Sequence, residues 1–137
     1  MAKQIFVNLP VKDLQKSKDF YSNIGFSFNP KFSDETAACM VISDEIYTML
    51  LTHPKFKEFT PKEIPNAHKT SEVLNALSVD NRAEVDRLVD KALQNGGTEA
   101  RPAEDHGFMY LRSFNDPDGH IWEFFWMDPQ AMNGDSK

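Results

Sequence analysis

The stretch Leu9-Pro10-Val11-Lys12-Asp13 has a near copy 68 positions later, at Leu77-Ser78-Val79-Asp80-Asn81. Each copy ends a segment with a strand-like apolar pattern and begins a segment whose apolar residues recur at helical spacing. The offset between the copies is about half of the 137 residues. The sequence therefore predicts a duplicated unit in which a strand leads into a helix.

Both predicted helices have recognisable ends. Asp13 and Asn81 are the predicted N-caps, since their side-chain oxygens can accept hydrogen bonds from the free N–H groups of the first turn. Glu84 follows Asn81 by three residues, which predicts a capping box. Gly25 ends the first helix, and Gly96-Gly97 ends the second.

Strand patterns surround each helix. Before the helices, strands are predicted at residues 4–11 and 73–79. After them, strands are predicted at residues 26–29, 37–42 and 46–52 in the first half, and at 98–101, 108–114 and 120–126 in the second. The predicted fold class is therefore α+β, built from two βαβββ modules.

A single domain is expected for the 137 residues. Module one covers about residues 1–53 and module two about residues 71–130, with a linker at 54–70 and a frayed tail at 131–137. The linker contains three prolines and four lysines, which favours a connector, with a lid over a pocket as the alternative.

The charge balance excludes some function classes. Fifteen basic against 21 acidic residues give a net charge of −6, which disfavours binding to nucleic acids or anionic membranes. No apolar run approaches the roughly 18 residues of a membrane span, and no signal peptide is visible. The single cysteine, Cys39, fits a reducing compartment, so a cytoplasmic location is predicted.

Two phrases carry a family resemblance: LPVKDLQKSKDFYSNIGF at residues 9–26 and DPDGHIWEFFW at residues 116–126. Together with the repeated modules, they resemble the vicinal oxygen chelate superfamily, which includes glyoxalase I, fosfomycin-resistance proteins, extradiol dioxygenases and bleomycin-resistance proteins. The resemblance covers nearly the whole chain. It implies strands that curl around a cavity, a small-molecule ligand and a homodimer.

The resemblance also implies four metal-ligand positions, two in each module. Glu123 matches one of them, whereas Phe6, Met49 and Leu74 stand at the other three. These three side chains are not ordinary ligands for magnesium, nickel, zinc or iron. No metal and no other cofactor is therefore expected. A divalent ion at a divergent site, with Glu123 assisted by Asn8 or His53, is the alternative.

Alternation along the strands predicts which side chains line the cavity. Tyr110, Arg112 and Phe114 are predicted to face the same side as Glu123, so that Arg112 pairs with Glu123. This pair is either self-satisfied or available to a ligand. Glu123 is the candidate catalytic residue, and the predicted ligand-binding set is Phe6, Asn8, Met40, Tyr47, Met49, Leu51, His53, Leu74, Tyr110, Arg112, Phe114 and Phe125.

Among the histidines, His53 is the best candidate for the cavity side, and His106 is expected in a loop at its mouth. Cys39 has the opposite strand parity to Met40 and is predicted to pack against a helix as a small apolar residue.

Three functions remain open from sequence. The first is a small-molecule-binding protein similar to the bleomycin-resistance branch, without the usual metal. The second is a glyoxalase-like lyase or isomerase with a divergent metal site that uses Glu123. The third is a catalytically silent dimeric scaffold.

Overall fold

The structure is a computed structural model, and it describes residues 2–132. The chain forms two compact units, with the boundary between Asn66 and Ala67. Each unit contains one mixed sheet with a helix packed on its strands. The predicted α+β class is confirmed.

The first unit has the sheet order β1-β4-β3-β2, in which β1 and β4 are parallel and the other pairs are antiparallel. Its elements are β1 (Ile5–Val11), α1 (Leu14–Ile24), β2 (Ser27–Asn29), a 3-10 turn (Pro30–Phe32), β3 (Ala37–Val41), β4 (Ile46–Thr52) and α2 (His53–Lys57).

The second unit repeats this order as β5-β9-β8-β6, with one additional short strand, β7, paired to β8. Its elements are β5 (Leu74–Ser78), α3 (Arg82–Gln94), β6 (Thr98–Glu99), β7 (Glu104–Asp105), β8 (Met109–Asn115), β9 (Ile121–Met127) and α4 (Pro129–Met132). The strands predicted in both modules lie within two residues of these bounds.

The helix caps are largely as predicted. Asp13 accepts a hydrogen bond from the backbone N–H of Lys16 at 3.1 Å, and Asn81 accepts one from Glu84 at 2.8 Å. The carboxylate of Glu84 binds the guanidinium of Arg87 instead of returning to the cap. Only half of the predicted capping box is therefore formed, because a charged partner one turn away competes for Glu84.

Each unit buries its own apolar core. In the second unit α3 covers β8 and β9, and the rings of Phe114 and Phe124 stack 5.8 Å apart beside buried Trp122. In the first unit α1 contributes the buried residues Leu14, Phe20, Tyr21 and Ile24. These apolar layers fix the sheets on which the candidate site residues are carried.

Two predicted irregular segments contain short helices. α2 begins directly after β4, because Thr52 caps it and Pro54 suits its first turn. Part of the predicted linker is therefore helical. At the other end, α4 includes residues 131 and 132 of the predicted tail, and residues 133–137 lie outside the described part of the chain. Among residues 2–132 no helix has the length and apolar character needed to span a membrane.

Candidate functional site

Glu123 lies in the middle of β9 and is only 9 % exposed. The turn that precedes it is organised by Asp116, whose Oδ1 accepts hydrogen bonds from the backbone N–H groups of Asp118 and His120, each at 2.9 Å. Gly119 has a φ of +92°, a conformation that favours glycine. A well-defined turn therefore sets the register of the strand that carries Glu123.

We call the side of the second sheet that carries this carboxylate the Glu123 face. Paired residues of neighbouring strands point to the same side of a sheet. The face therefore includes Leu74, Ala76 and Ser78 on β5, Ile121, Glu123 and Phe125 on β9, and Leu111 and Ser113 on β8. The structure thus brings together three of the predicted site residues, Leu74, Glu123 and Phe125.

Arg101 reaches Glu123 from the segment that follows β6. Its Nη2 lies 3.3 Å from Oε2 of Glu123, and its Nη1 hydrogen-bonds Oε2 of Glu104. The other oxygen of Glu104, Oε1, is 3.1 Å from Nε2 of His106. One guanidinium therefore lies between two carboxylates. We call Glu123, Arg101, Glu104 and His106 the Arg101 cluster.

Asp105 anchors the short strand that carries Glu104. Its two carboxylate oxygens accept hydrogen bonds from Nη1 and Nη2 of Arg82, both at 2.8 Å, and Oδ1 also accepts one from the N–H of Gly107. The hydrogen bond from Arg82 holds the pKa of Asp105 well below its usual range. Because Arg82 belongs to α3 and lies 5.2 Å from the ring centroid of Trp126, the helix and β9 together position Glu104.

The predicted pairing of Arg112 with Glu123 is wrong, and the register gives the reason. β8 and β9 pair Asn115 with Ile121, so the loop between them, residues 116–120, has five residues. An odd loop pairs odd-numbered with odd-numbered residues and places the even-numbered residues of β8 on the other side. The side chains that this moves off the Glu123 face are Tyr110, Arg112 and Phe114.

On the helix side of the sheet, Arg112 is neutralised by α3. Its Nη1 is 2.9 Å from Oδ1 of both Asp86 and Asp90. Tyr110 donates its hydroxyl proton to Oδ1 of Asp86 at 2.7 Å. Burial raises the pKa of Asp86, but the hydrogen bonds from Tyr110 and Arg112 outweigh this and leave the pKa below its ordinary value. Arg112 therefore ties α3 to β8.

Five predicted residues of the first unit share one side of its sheet, which we call the Met49 face: Phe6, Asn8, Tyr47, Met49 and Leu51. The rings of Phe6 and Tyr47 stack with centroids 4.6 Å apart and planes within 9° of parallel. Phe6 remains 46 % exposed. The stack therefore presents a flat apolar surface.

Met40 was predicted on this face and lies on the other one. In the first unit Val41 pairs with Tyr47, which again leaves five residues between the paired positions, so Met40 pairs with Thr48 and is fully buried. Cys39 takes the place opposite Met49, contrary to its predicted position against a helix. Burial raises the pKa of the Cys39 thiol, which disfavours the reactive thiolate.

The two histidine candidates differ in placement. His53 is the exposed first residue of α2, because β4 ends one residue earlier at Thr52, so it does not continue the strand alternation. His106 lies in the Arg101 cluster and is also exposed.

The residues at the family's metal positions do not fit a divalent ion. Phe6 and Leu74 supply no donor atom, and Met49 supplies only a soft thioether. Glu123 has the guanidinium of Arg101 beside it. Within residues 2–132 no group of three or more His, Cys, Asp or Glu side chains is placed to hold a metal ion.

Sequence reasoning missed Arg101 and Glu104 as partners of Glu123. Arg101 lies in an irregular segment between β6 and β7 and is 22 residues from Glu123, so no strand or helix periodicity connects them. The available signal was compositional: all four arginines lie in the second half of the chain, at positions 82, 87, 101 and 112.

Comparison with solved structures shows the fold in several bacterial proteins. Hypothetical protein SA1046 from S. aureus is 29 % identical, with a TM-score of 0.77, covering 92 % of this chain and 95 % of that chain. Fosfomycin resistance protein FosX from Mesorhizobium loti is 14 % identical, with a TM-score of 0.70 and coverages of 97 % and 98 %. The bleomycin resistance determinant encoded on transposon Tn5 is 20 % identical, with a TM-score of 0.64 and coverages of 92 % and 98 %.

A search of curated proteins finds no match to this chain. The family comparison does find one: the description of the Glyoxalase/Bleomycin resistance protein/Dioxygenase superfamily matches residues 3–124. That range includes both sheets as far as Phe124 and the whole Arg101 cluster. The chain belongs to the glyoxalase/bleomycin resistance protein/dioxygenase superfamily.

Proposed function

We propose that this protein binds a small molecule with an apolar or aromatic body, and that it does so without a bound metal ion. The observation that carries the proposal is the pairing of Glu123 with Arg101 at 3.3 Å. The carboxylate at the family's ligand position already has a cation from its own chain. A ligand would therefore meet a neutralised ion pair and its neighbours at this face.

The Arg101 cluster determines which polar group suits the site. Two carboxylates and one guanidinium leave one negative charge when His106 is neutral. Oε2 of Glu123 faces Arg101, and no hydrogen bond from another described residue reaches Oε1. A ligand with an amine or amide donor would find an acceptor in Glu123, with charge-assisted strength.

Apolar side chains around the cluster support an apolar ligand body. Leu74 is 56 % exposed, and Phe125 and Ile121 are partly exposed on the same face. Small-molecule sites combine such apolar walls with a few polar groups that fix orientation. In the first unit, the exposed stack of Phe6 and Tyr47 provides a surface on which an aromatic ring can pack.

A ligand screen tests the proposal by thermal unfolding. The panel contains aromatic amines, glycopeptide drugs of the bleomycin class and glutathione hemithioacetals. A ligand at a hundredfold excess over its Kd adds about 2.7 kcal/mol of stability. We expect a stabilising hit that is lost in Glu123→Gln and Arg101→Met.

The matched control is Glu84→Gln, which breaks the exposed ion pair with Arg87 on α3 and should keep the hit. A hit that survives both site variants would overturn the proposed site. The absence of any hit would favour the silent scaffold.

A glyoxalase-like lyase or isomerase is the second candidate. Its support is a mostly buried carboxylate, Glu123, beside a guanidinium that could receive a developing negative charge. In this case Glu123 would accept a proton from the substrate. Turnover of a hemithioacetal that Glu123→Gln abolishes, with ligand binding retained, would establish this candidate over simple binding.

We also propose that the protein is a cytoplasmic homodimer. The edge strand β1 exposes Ile5 and Phe6, and Val73 and Leu74 are exposed at the start of the edge strand β5. Exposed apolar residues on sheet edges favour association with another chain. Light scattering should give twice the chain mass, and a lower mass is expected for Ile5→Lys.

A further inference from the structure

We infer that Arg101 acts as the resident cation of the Glu123 face and thereby excludes divalent metal ions from it. Removing its guanidinium would turn Glu123, Glu104 and His106 into the ligands of a metal site. The inference concerns ion selectivity and does not depend on which small molecule the protein binds.

The charges of the cluster are arranged around Arg101. Nη2 faces Oε2 of Glu123 at 3.3 Å, and Nη1 binds Oε2 of Glu104. His106 is connected through Oε1 of Glu104 at 3.1 Å. Two carboxylates and one imidazole are the donor types that zinc, nickel and cobalt accept. The guanidinium of Arg101 occupies the space between the two carboxylates.

Ser113 provides an independent observation at the same place. It pairs directly with Glu123 across β8 and β9, so both side chains point to the Glu123 face. Its hydroxyl is buried, the residue is 1 % exposed, and no hydrogen-bond partner for it is found among residues 2–132. Buried hydroxyls usually have a partner. Ser113 can therefore offer one more oxygen to a group bound beside Glu123.

The position of Arg101 explains why the side chains of the wild-type cluster do not form a set of metal ligands. Zinc needs nitrogen and oxygen ligands at about 2.0–2.2 Å from one centre. A guanidinium bonded to both carboxylates keeps them on separate nitrogens and repels a second cation. Residues 2–132 contain no group of three such side chains placed to hold an ion, so Glu104, Glu123 and His106 would have to turn toward one centre after the guanidinium is removed. Loss of the guanidinium would leave two carboxylates facing each other, which favours cation binding.

Metal titration of the full chain tests the inference. Protein freed of any affinity tag and treated with EDTA is titrated with Zn²⁺ by calorimetry and with Co²⁺ by visible absorbance. We expect Arg101→Ala to bind one ion per chain at least tenfold more tightly than wild type. The double variants R101A/E123Q and R101A/H106A should lose this gain, and Arg101→Lys should behave as wild type because it keeps the charge.

Arg87→Ala is the matched control, since it also frees a glutamate from an arginine but has no second carboxylate or imidazole in its ion pair. Circular dichroism shows whether each variant keeps the fold. Binding by R101A no tighter than by R87A, or a gain that persists in R101A/E123Q, would overturn the inference. The inference would also be overturned if the wild-type protein bound one ion per chain and Glu123→Gln abolished that binding. A wild-type ion held by Glu123 would also contradict metal-free ligand binding, whereas the results with R101A and R87A leave the proposed function untouched.

Discussion

The two units have the same strand order and the same five-residue spacing between the paired ends of their last two strands, yet corresponding positions carry different chemistry. In the first unit, Asn8 pairs with Met49; in the second, Ala76 pairs with Glu123. Asn8 corresponds to Ala76 at an offset of 68 residues, and Met49 corresponds to Glu123 at an offset of 74. The first 81 residues contain no arginine, whereas Arg101 neutralises Glu123 in the second unit. The two units share the same backbone pairing. They differ in that the second unit has a buried carboxylate, Glu123, within reach of a guanidinium.

The largest expected effect lies in the two matching loops. Gly119 has a positive φ, and a Cβ there would lie 2.7 Å from backbone atoms of Ala67 and His68. The corresponding segment of the first unit, residues 42–46, contains no glycine. Gly119→Ala combines left-handed strain with a backbone clash, so we expect it to lower the free energy of unfolding by about 3 kcal/mol or more.

Gly107→Ala is the control for this prediction, because Gly107 also has a positive φ, +82°, with no atom within 4 Å of the added Cβ. It should cost only about 1–2 kcal/mol, the strain alone. Urea denaturation measures both. Equal losses would show that the contact with residues 67 and 68 does not constrain the loop.

Exchanging the side chains of the corresponding positions Met49 and Glu123 tests the role of the guanidinium directly. Met49→Glu would place a carboxylate on a half-buried face without an arginine, and we expect a loss of about 1–3 kcal/mol in unfolding free energy. Glu123→Met leaves Arg101 with Glu104 as its partner, so a change below about 1 kcal/mol is expected.

Met49→Gln separates polarity from charge in that exchange and should be less destabilising than Met49→Glu. Denaturant unfolding at neutral pH gives all three values. A larger loss of unfolding free energy for Glu123→Met than for Met49→Glu would contradict the role assigned to Arg101.

The sequence predicted most of the strand and helix bounds, but it did not predict which side of the sheet the side chains of β3 and β8 occupy. β4 was predicted at its observed bounds because seven residues between turn signals define it. The faces of β3 and β8 depend on whether the next loop has an odd or even number of residues. Backbone hydrogen bonds from Ile42 to Ile46 and from Asp116 to His120 leave an odd number of residues between the paired strand ends in both units, and side-chain patterns do not encode this. The same error therefore displaced Met40 and Arg112.

Two aspartates anchor loops in the two units by different means, which predicts different responses to acid and salt. In the first unit the backbone N–H and hydroxyl of Thr36 lower the pKa of Asp34; in the second, Arg82 lowers that of Asp105. A lowered folded-state pKa stabilises the fold above the unfolded value of about 4, and this contribution is lost as the pH falls through the folded-state pKa.

Asp105→Asn should therefore lower the Tm at pH 7, and its difference from wild type should shrink between about pH 4 and pH 2. Because Arg82 and Asp105 are solvent-accessible, added salt of about 1 M should also reduce that difference. Asp34→Asn should respond less to salt, since Thr36 and Ala37 are neutral donors to Asp34 and the charge of Lys55 contributes least to its lowered pKa. A salt-independent Tm difference for Asp105→Asn would refute the role of the charge pair.

The smallest expected effect concerns one side-chain pair on each face. Each pair lies near the start of the two parallel strands of its unit. Phe6 pairs with Tyr47 in the first unit, and Leu74 pairs with Ile121 in the second. Ring stacking at 4.6 Å adds to apolar burial, so a double-mutant cycle with alanine should give a coupling of about 0.5–1.5 kcal/mol for the aromatic pair.

The same cycle on Leu74 and Ile121 should give less than about 0.5 kcal/mol, because Leu74 is largely exposed and this pair has no stacked rings. Tyr47→Phe is a useful reference, since it keeps the ring and removes the hydroxyl that donates to the carbonyl of Asp44. If the two cycles give equal couplings, the aromatic pair stabilises its sheet as any apolar pair does. A larger coupling for Phe6 and Tyr47 would mean that the first unit maintains a rigid, exposed aromatic surface at the position where the second unit has only aliphatic side chains.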